Sequence, residues 1–481
     1  MEKARTRFAP SPTGKPHIGN IRTALFAWLW ARHTDGDFIL RIEDTDRERY
    51  QEEAMSSIFE AMKWLGLDWN EGPEKGGEYG PYLQSERLDI YHKHAQRLLE
   101  SGNAYWCDCT KERLSEVREK QRKNKEHMHY DRRCLDRNLE SSFDDPNTVL
   151  RLRIPDTDKV VFNDFIRGEI EFSTEELDDI VLIKSDGYPT YHFAFAVDDT
   201  EMGITHIMRG EEYIPSSGMH KALFDALEFD MPHIVHLPLI LGPDKGKLSK
   251  RHGATSVLDY KKMGFLPEAI FNFIALMGWS PGDDREIITP DEMVELFDIK
   301  NIHKSAAVFD PEKLLWMNGE YIRAMSPEEL DKKLRPYYEG KGWKADDDFF
   351  LKIAGSMQER LKKLTDMVDN GWFWFEDPTE YQEKGIKKHF KPEAVQRLQD
   401  IYDSLESIEN WEEKEIEDAI RSCAKKREEG AGKLIHPMRL STSGLTYGPS
   451  AFDIILFLPK ETILRRIKNA QEFVKKLHGV Q

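Results

Sequence analysis

The sequence predicts an α/β protein in several pieces: a parallel-sheet domain, a small inserted α+β domain, and a helical remainder. Three observations predict it. Residues 5–43 read as strand, helix, strand. The stretch from 103 to 177 breaks that texture with clustered cysteines and short strands. Beyond Arg251 the chain turns helical, and from Ser326 onward almost every segment has helical periodicity. At 481 residues the chain is too long for one core, and about three domains are expected.

The first unit is the most legible. Arg5–Ala9 reads as a strand, and Pro10, Pro12, Gly14 and Pro16 then force an irregular loop. From His17 a helix begins, with Ile21, Ala24, Leu25, Trp28 and Leu29 spaced along one buried face. Asp35-Gly36-Asp37 stops it, and Phe38–Glu43 follows as a second strand. Strand, helix and strand in so few residues make a right-handed parallel βαβ unit. Ligands of such sheets lie at the carboxyl ends of strands, against a helix amino terminus whose unpaired N–H groups favour an anion. The Pro-rich loop and His17–Asn20 lie there, and Glu43 faces the same crevice, where a carboxylate suits an ammonium group.

Helices are expected at 52–66 and about 83–101. Cys107-x-Cys109 and Cys134 then put three of the four cysteines within 28 residues. Zinc takes four N, S or O ligands, so Tyr130, Asp136, His127 or His129 could complete a site, or these are three ordinary buried cysteines. Short strands are expected at Val149–Ile154 and Val160–Asp164, and the α/β pattern returns at Ile180–Lys184 and continues through Tyr191–Phe195. Another strand, from Ile204, ends in Arg209, placed to grip a carboxylate or to pair with Glu211 or Glu212. Val235–Leu241 reads as one strand running into a basic, Gly-flanked loop, where Lys247 and Lys250 could close over a polyphosphate.

The net charge is −18, from 69 basic and 87 acidic residues. A nucleic-acid binder of this sign must gather its basic groups on one face. The apolar run Thr23–Ala31 is accounted for by the βαβ helix rather than a signal peptide, and nothing approaches the ~20 apolar residues of a membrane span. Four cysteines in so long a chain make no disulfide framework, and a cytoplasmic location is predicted.

Two loops together carry a resemblance. Pro16-His17-Ile18-Gly19-Asn20 and Lys247-Leu248-Ser249-Lys250-Arg251, about 230 residues apart, are similar to the two signature motifs of class I aminoacyl-tRNA synthetases. With Arg7–Gly14, Arg41–Asp46 and Ala307–Asn318 added, the whole chain resembles bacterial glutamyl-tRNA synthetases. Asn20 departs from the first signature, which has a second histidine there.

The resemblance implies a Rossmann-type catalytic domain in two halves, 1–102 and 178–254, and an inserted acceptor-end-binding domain, 103–177. A helical stem-contact domain, 255–325, and a helical anticodon-binding domain, 326–481, would follow. It implies ATP with Mg²⁺, L-glutamate and tRNA-Glu as substrates, with tRNA-Gln left open, and a monomer as the default. His17, Lys247 and Lys250 would be catalytic. ATP would contact Pro16, His17, Gly19, Asn20 and the run Lys247, Leu248, Ser249, Lys250, Arg251. Arg7, Ala9, Ser11, Glu43, Tyr191 and Arg209 match the family's glutamate pocket, where Phe195 falls at a position that relatives often give to a polar or smaller group. A structural zinc would be held by Cys107, Cys109, Cys134 and either Tyr130 or Asp136. A glutaminyl-tRNA synthetase is the nearest rival, but is expected to end in β-barrels. A catalytically inactive tRNA-binding paralogue is another, against which the intact His17 and Lys247–Arg251 argue.

Overall fold

A computed structural model describes residues 2–46, 49–246, 248 and 256–479. They fall into two compact units, one of residues 1–261 and 267–311, the other of 262–266 and 312–481.

The first unit opens with β1 (Arg5–Phe8), α1 (Ile18–His33) and β2 (Asp37–Leu40), and the two strands pair in parallel from Arg5↔Asp37 to Phe8↔Leu40. Eleven of the sixteen α1 residues are buried, because the helix is covered on more than its apolar stripe. Next come α2 (Glu52–Trp64), α3 (Leu88–Glu100), β3 (Ala104–Cys107), α4 (Lys111–Asn124), β4 (Val149–Leu152), β5 (Lys159–Asp164), β6 (Gly168–Ser173) and β7 (Val181–Ile183). Then follow α5 (Tyr191–Glu201), β8 (His206–Gly210), α6 (Ile214–Ala226), β9 (His233–Leu237) and β10 (Ile240–Leu241).

Strands β8 and β9 are parallel, and the β5–β6 hairpin joins that sheet where Asp164 meets Ile234. Thr205, just before β8, links this sheet to β1: its N–H donates to the Arg5 carbonyl at 2.9 Å. Strands β3, β4 and β7 form a separate antiparallel sheet. Thus the end of β5, within the segment read as an insertion, reaches the parallel sheet.

The sequence leaves one element open between strand and helix, and one differs from expectation. Tyr191–Phe195 opens a helix, with Phe193–Asp199 buried in succession. A run apolar on every side gives no period to separate strand from buried helix. The strand expected over Val235–Leu241 is broken, β9 ending at Leu237 and β10 starting at Ile240. Pro238 has no N–H to offer a ladder, and β10 pairs instead with β11 (Ala307–Val308).

In the second unit every described element from residue 312 on is helical. Its last helix, Lys460–His478, turns Arg466 inward, where the guanidinium binds the Phe373, Thr442 and Glu376 carbonyls and Asp377. Arg465 also pairs with Asp377, at 2.7 Å. These two arginines therefore brace the unit's own fold. No helix among the described residues is long and apolar enough to cross a membrane.

Candidate active site

The loop after β1 and the start of α1 form one wall. His17 is the N-cap of α1: its Nδ1 accepts from the Gly19 and Asn20 N–H groups at 3.1 and 3.3 Å. Glycine at 19 has a steric reason, since a Cβ there would lie 3.0 Å from the His17 ring. Pro16 is buried, and His17 and Asn20 are exposed. His17 forms an antiparallel bridge with Ser256, and the Val257 N–H points to the Pro16 carbonyl at 3.4 Å. Within the basic segment, the Leu248 N–H donates to the Ile240 carbonyl at 3.2 Å. Lys247, Ser249, Lys250 and Arg251, which the sequence singles out, lie outside the described residues.

Behind this wall lies a buried charge cluster. Arg7, on β1, donates through Nε to both Asp199 oxygens at 3.1 Å. Arg41 pairs with Asp199 at 2.7 Å and with Glu43 at 3.4 Å. Asp198 accepts from Arg87 Nε at 2.7 Å, Gln84 Nε2 at 2.8 Å and the Tyr91 hydroxyl at 2.9 Å. The pocket side is held in register by the Glu43 N–H, which donates to the Pro10 carbonyl at 3.0 Å between Ala9 and Ser11. Ala9 is half-buried and Ser11 exposed.

Three arginines (7, 41 and 87) thus face three carboxylates (43, 198 and 199). Glu43 is the least compensated, because Arg41 is shared with both aspartates. Burial pushes its carboxyl up to about 7, against the pull of Arg41 and Arg7.

Arg209, on β8, is different. It is 5% exposed, and its Nε meets His236 Nε2 at 3.0 Å, one terminal nitrogen meets His220 Nδ1 at 3.0 Å, and the other meets Ser217 Oγ at 2.7 Å. Among the described residues no carboxylate pairs with it. Glu211, a competitor expected from sequence, pairs instead with Arg167 and accepts from Leu239 N–H at 2.9 Å. Burial lowers the Arg209 pKa, and Tyr191 opposes the shift. The Tyr191 hydroxyl, driven up by burial, feels Glu43, Arg209 and Arg7 together, so these four groups converge. Phe195 is fully buried beneath them, with the Arg7 and Arg209 guanidinium carbons 5.8 and 5.4 Å from its ring centre. A buried cation without a counter-ion is a place for an anionic ligand.

Away from this pocket, Cys107, Cys109 and Cys134 bring their sulfurs within 4.8 Å of one another. Cys109 and Cys134 are 3.6 Å apart, and the Tyr130 hydroxyl lies 3.3 Å from Cys107 and 3.4 Å from Cys109. A tetrahedral zinc with three sulfurs and one oxygen has edges of about 3.8 Å (S–S) and about 3.5 Å (S–O). The Cys109–Cys134, Tyr130–Cys107 and Tyr130–Cys109 spacings come close to those edges. Asp136 is exposed and has no such approach. Arg113 and Arg137 each reach a sulfur at 3.5 Å, and the Arg151 guanidinium lies 3.9 Å over the Tyr130 ring. Such a cationic shell favours thiolates, although burial and the neighbouring cysteines push the Cys109 thiol up to about 11. The Cys107 thiol is lowered: burial opposes ionisation, but hydrogen bonds from Tyr130 and Arg151 outweigh it.

Comparison with known proteins gives the family. Residues 3–316 match the catalytic domain of the class I tRNA synthetases for E and Q, and residues 329–471 match an anticodon binding domain. The chain is a member of the class I tRNA synthetase family. It is 43% identical to a glutamate–tRNA ligase of Moorella thermoacetica, over 99% of each chain. It is 44% identical to one of Dehalococcoides mccartyi, over 97% of this chain and 98% of that one. A crystal structure of a glutamate tRNA ligase from Elizabethkingia meningosepticum, in complex with its amino acid, superposes with a TM-score of 0.90 at 38% identity, covering 98% of this chain and 100% of the other. In this synthetase the helical second unit stands where the glutaminyl rival was expected to carry β-barrels.

Sequence reasoning missed Asp199, Ser217, His220 and His236. The adjacent acids Asp198 and Asp199, closing an apolar stretch, were the one available signal, since paired carboxylates enter a core only to meet cations.

Proposed function

We propose that this synthetase ligates L-glutamate to tRNA-Glu in two steps driven by ATP. The observation that carries the reading is Arg209, a buried guanidinium without a carboxylate partner among the described residues, beside Arg7 and opposite the under-compensated Glu43. A ligand suited to this pocket carries an ammonium for Glu43 and a side-chain carboxylate for Arg209. Glutamate has both. Glutamine lacks the second, and would leave the buried cation unpaired.

In the first step the glutamate α-carboxylate attacks the α-phosphorus of ATP, with Mg²⁺ as its counter-ion, and pyrophosphate leaves. His17 and the amino end of α1, with Lys247 and Lys250, stabilise the charge that develops. In the second step the 2′-hydroxyl of the tRNA's terminal adenosine attacks the acyl carbon and AMP leaves. No covalent enzyme intermediate forms, so positioning and electrostatics carry the rate.

Residues 103–177 would receive the acceptor end, 255–325 the stem, and 326–481 the anticodon. Cys107, Cys109, Cys134 and Tyr130 would hold a zinc ion whose role is to brace a small core of few apolar residues.

The test is aminoacylation of tRNA-Glu and tRNA-Gln transcripts with labelled glutamate or glutamine. Glutamate on tRNA-Glu is expected, and any glutamate on tRNA-Gln defines the breadth of anticodon reading. Preferential charging with glutamine would overturn the assignment.

A further inference from the structure

Arg209 is held by side chains that no motif announces, and their hydrogen-bond polarity is fixed. A guanidinium only donates. His236 must therefore accept at Nε2, which puts its proton on Nδ1, 2.8 Å from Asp164 Oδ2. Asp164 is itself anchored: Oδ2 also accepts the His236 N–H at 3.0 Å, and Oδ1 accepts from Ile166 N–H at 2.9 Å and Arg167 N–H at 2.7 Å. His220 must accept at Nδ1, which puts its proton on Nε2, 2.8 Å from His192 Nδ1. Two imidazoles of opposite tautomer thus grip one guanidinium from two sides, and Ser217 Oγ takes a third N–H while donating to the Tyr213 carbonyl at 3.0 Å.

We propose that His236 and His220 are positioning residues for amino-acid selection, fixing the guanidinium plane of Arg209 so that its remaining N–H edge meets the substrate's side-chain carboxylate. This rests on the reading of Arg209 as the anchor of that carboxylate. Neutral acceptors do what a carboxylate could not: they orient the cation and leave its charge for the ligand. A carboxylate in place of either imidazole would satisfy Arg209 internally and compete with glutamate. Burial, followed by the neighbouring Arg209, drives His220 well below its usual range and keeps it neutral. The ring of Phe195, 4.8 Å from that of His220, closes the remaining side.

The opposite tautomers give a mirrored test. An asparagine amide reaches roughly as far as imidazole Nδ1, and a glutamine amide as far as Nε2. His236→Gln therefore keeps an acceptor for Arg209, whereas His236→Asn keeps only the donor toward Asp164. At 220 the order reverses: His220→Asn keeps the acceptor and His220→Gln loses it.

Steady-state kinetics on the full-length enzyme with tRNA-Glu should show the KM for glutamate raised about tenfold or more in H236N and H220Q, as for loss of one hydrogen bond to a charged group. It should change by about twofold or less in H236Q and H220N, and the KM for ATP should hold in all four. A merely structural role would lower thermal stability and kcat without this mirrored order. If Asn and Gln behave alike at both positions, the proposal fails. Should either position's pair fold poorly, the other pair decides alone. Arg209→Gln separates the two layers: an unchanged KM for glutamate would overturn the pocket assignment itself, whereas a raised KM without the mirrored order overturns only the histidines' role.

Discussion

His17 and Ser256 face each other in an antiparallel bridge, so the chain that follows the basic segment re-enters the fold at the amino end of α1. Ser256, five residues beyond the second signature motif, therefore lies where the first motif begins. His17 caps α1 and, in the proposed mechanism, also stabilises the transferring phosphate, and substitution separates the two roles. Asparagine is a good N-cap and alanine is not, so H17A should lose about 1 kcal/mol of stability while H17N keeps it. Both should slow adenylate formation by about a hundredfold, as for removal of one transition-state donor. Pre-steady-state pyrophosphate release and thermal melting measure the two effects independently.

The position of Glu43 predicts a pH dependence. Its carboxyl is raised by burial to about 7, and in the proposed pocket it would bind the substrate ammonium only when ionised. Raising the pH from 6 to 8 ionises it, so the KM for glutamate should fall about tenfold over that interval. Glu43→Gln should have a higher KM that no longer follows pH there. A slope unchanged in the variant would show that another group titrates.

At the cysteine cluster, purified protein should contain about one zinc per chain by elemental analysis. Cys109→Ser should lose it and Tyr130→Phe should bind it more weakly, while Asp136→Asn should keep full stoichiometry. Chelation should lower the melting temperature of the zinc-loaded protein.

Asp199 serves Arg7 and Arg41 at once, with no exposure to solvent. Asp199→Asn leaves two buried guanidiniums under-compensated and should cost about 3–5 kcal/mol in the first unfolding transition. Urea titration followed by tryptophan fluorescence measures this.

How much of this was legible in the sequence follows from the physics of each signal. The βαβ unit carries its own periodicity and stop signals, and strand, helix and strand stand where that pattern puts them. The three cysteines were legible as a group, but spacing could not separate Tyr130 from Asp136, since only the fold turns one inward and leaves the other exposed. Helix α5 was not legible, because residues buried on every side have no polar face to reveal their period. Nor were the partners of Arg209: Ser217, His220 and His236 lie 8, 11 and 27 residues away on α6 and β9, and meet only once sheet and helix have packed. Nor was the inward turn of Arg466, on a helix rich in basic residues, since a long cationic side chain turns inward only when carbonyls line its path.

The central claim, that Arg209 selects an acidic amino acid for activation, is tested most directly by pyrophosphate–ATP exchange with glutamate or glutamine, each with and without tRNA-Glu. The account predicts exchange with glutamate, dependent on tRNA, and none above background with glutamine. Exchange driven by glutamine as well as by glutamate would contradict it.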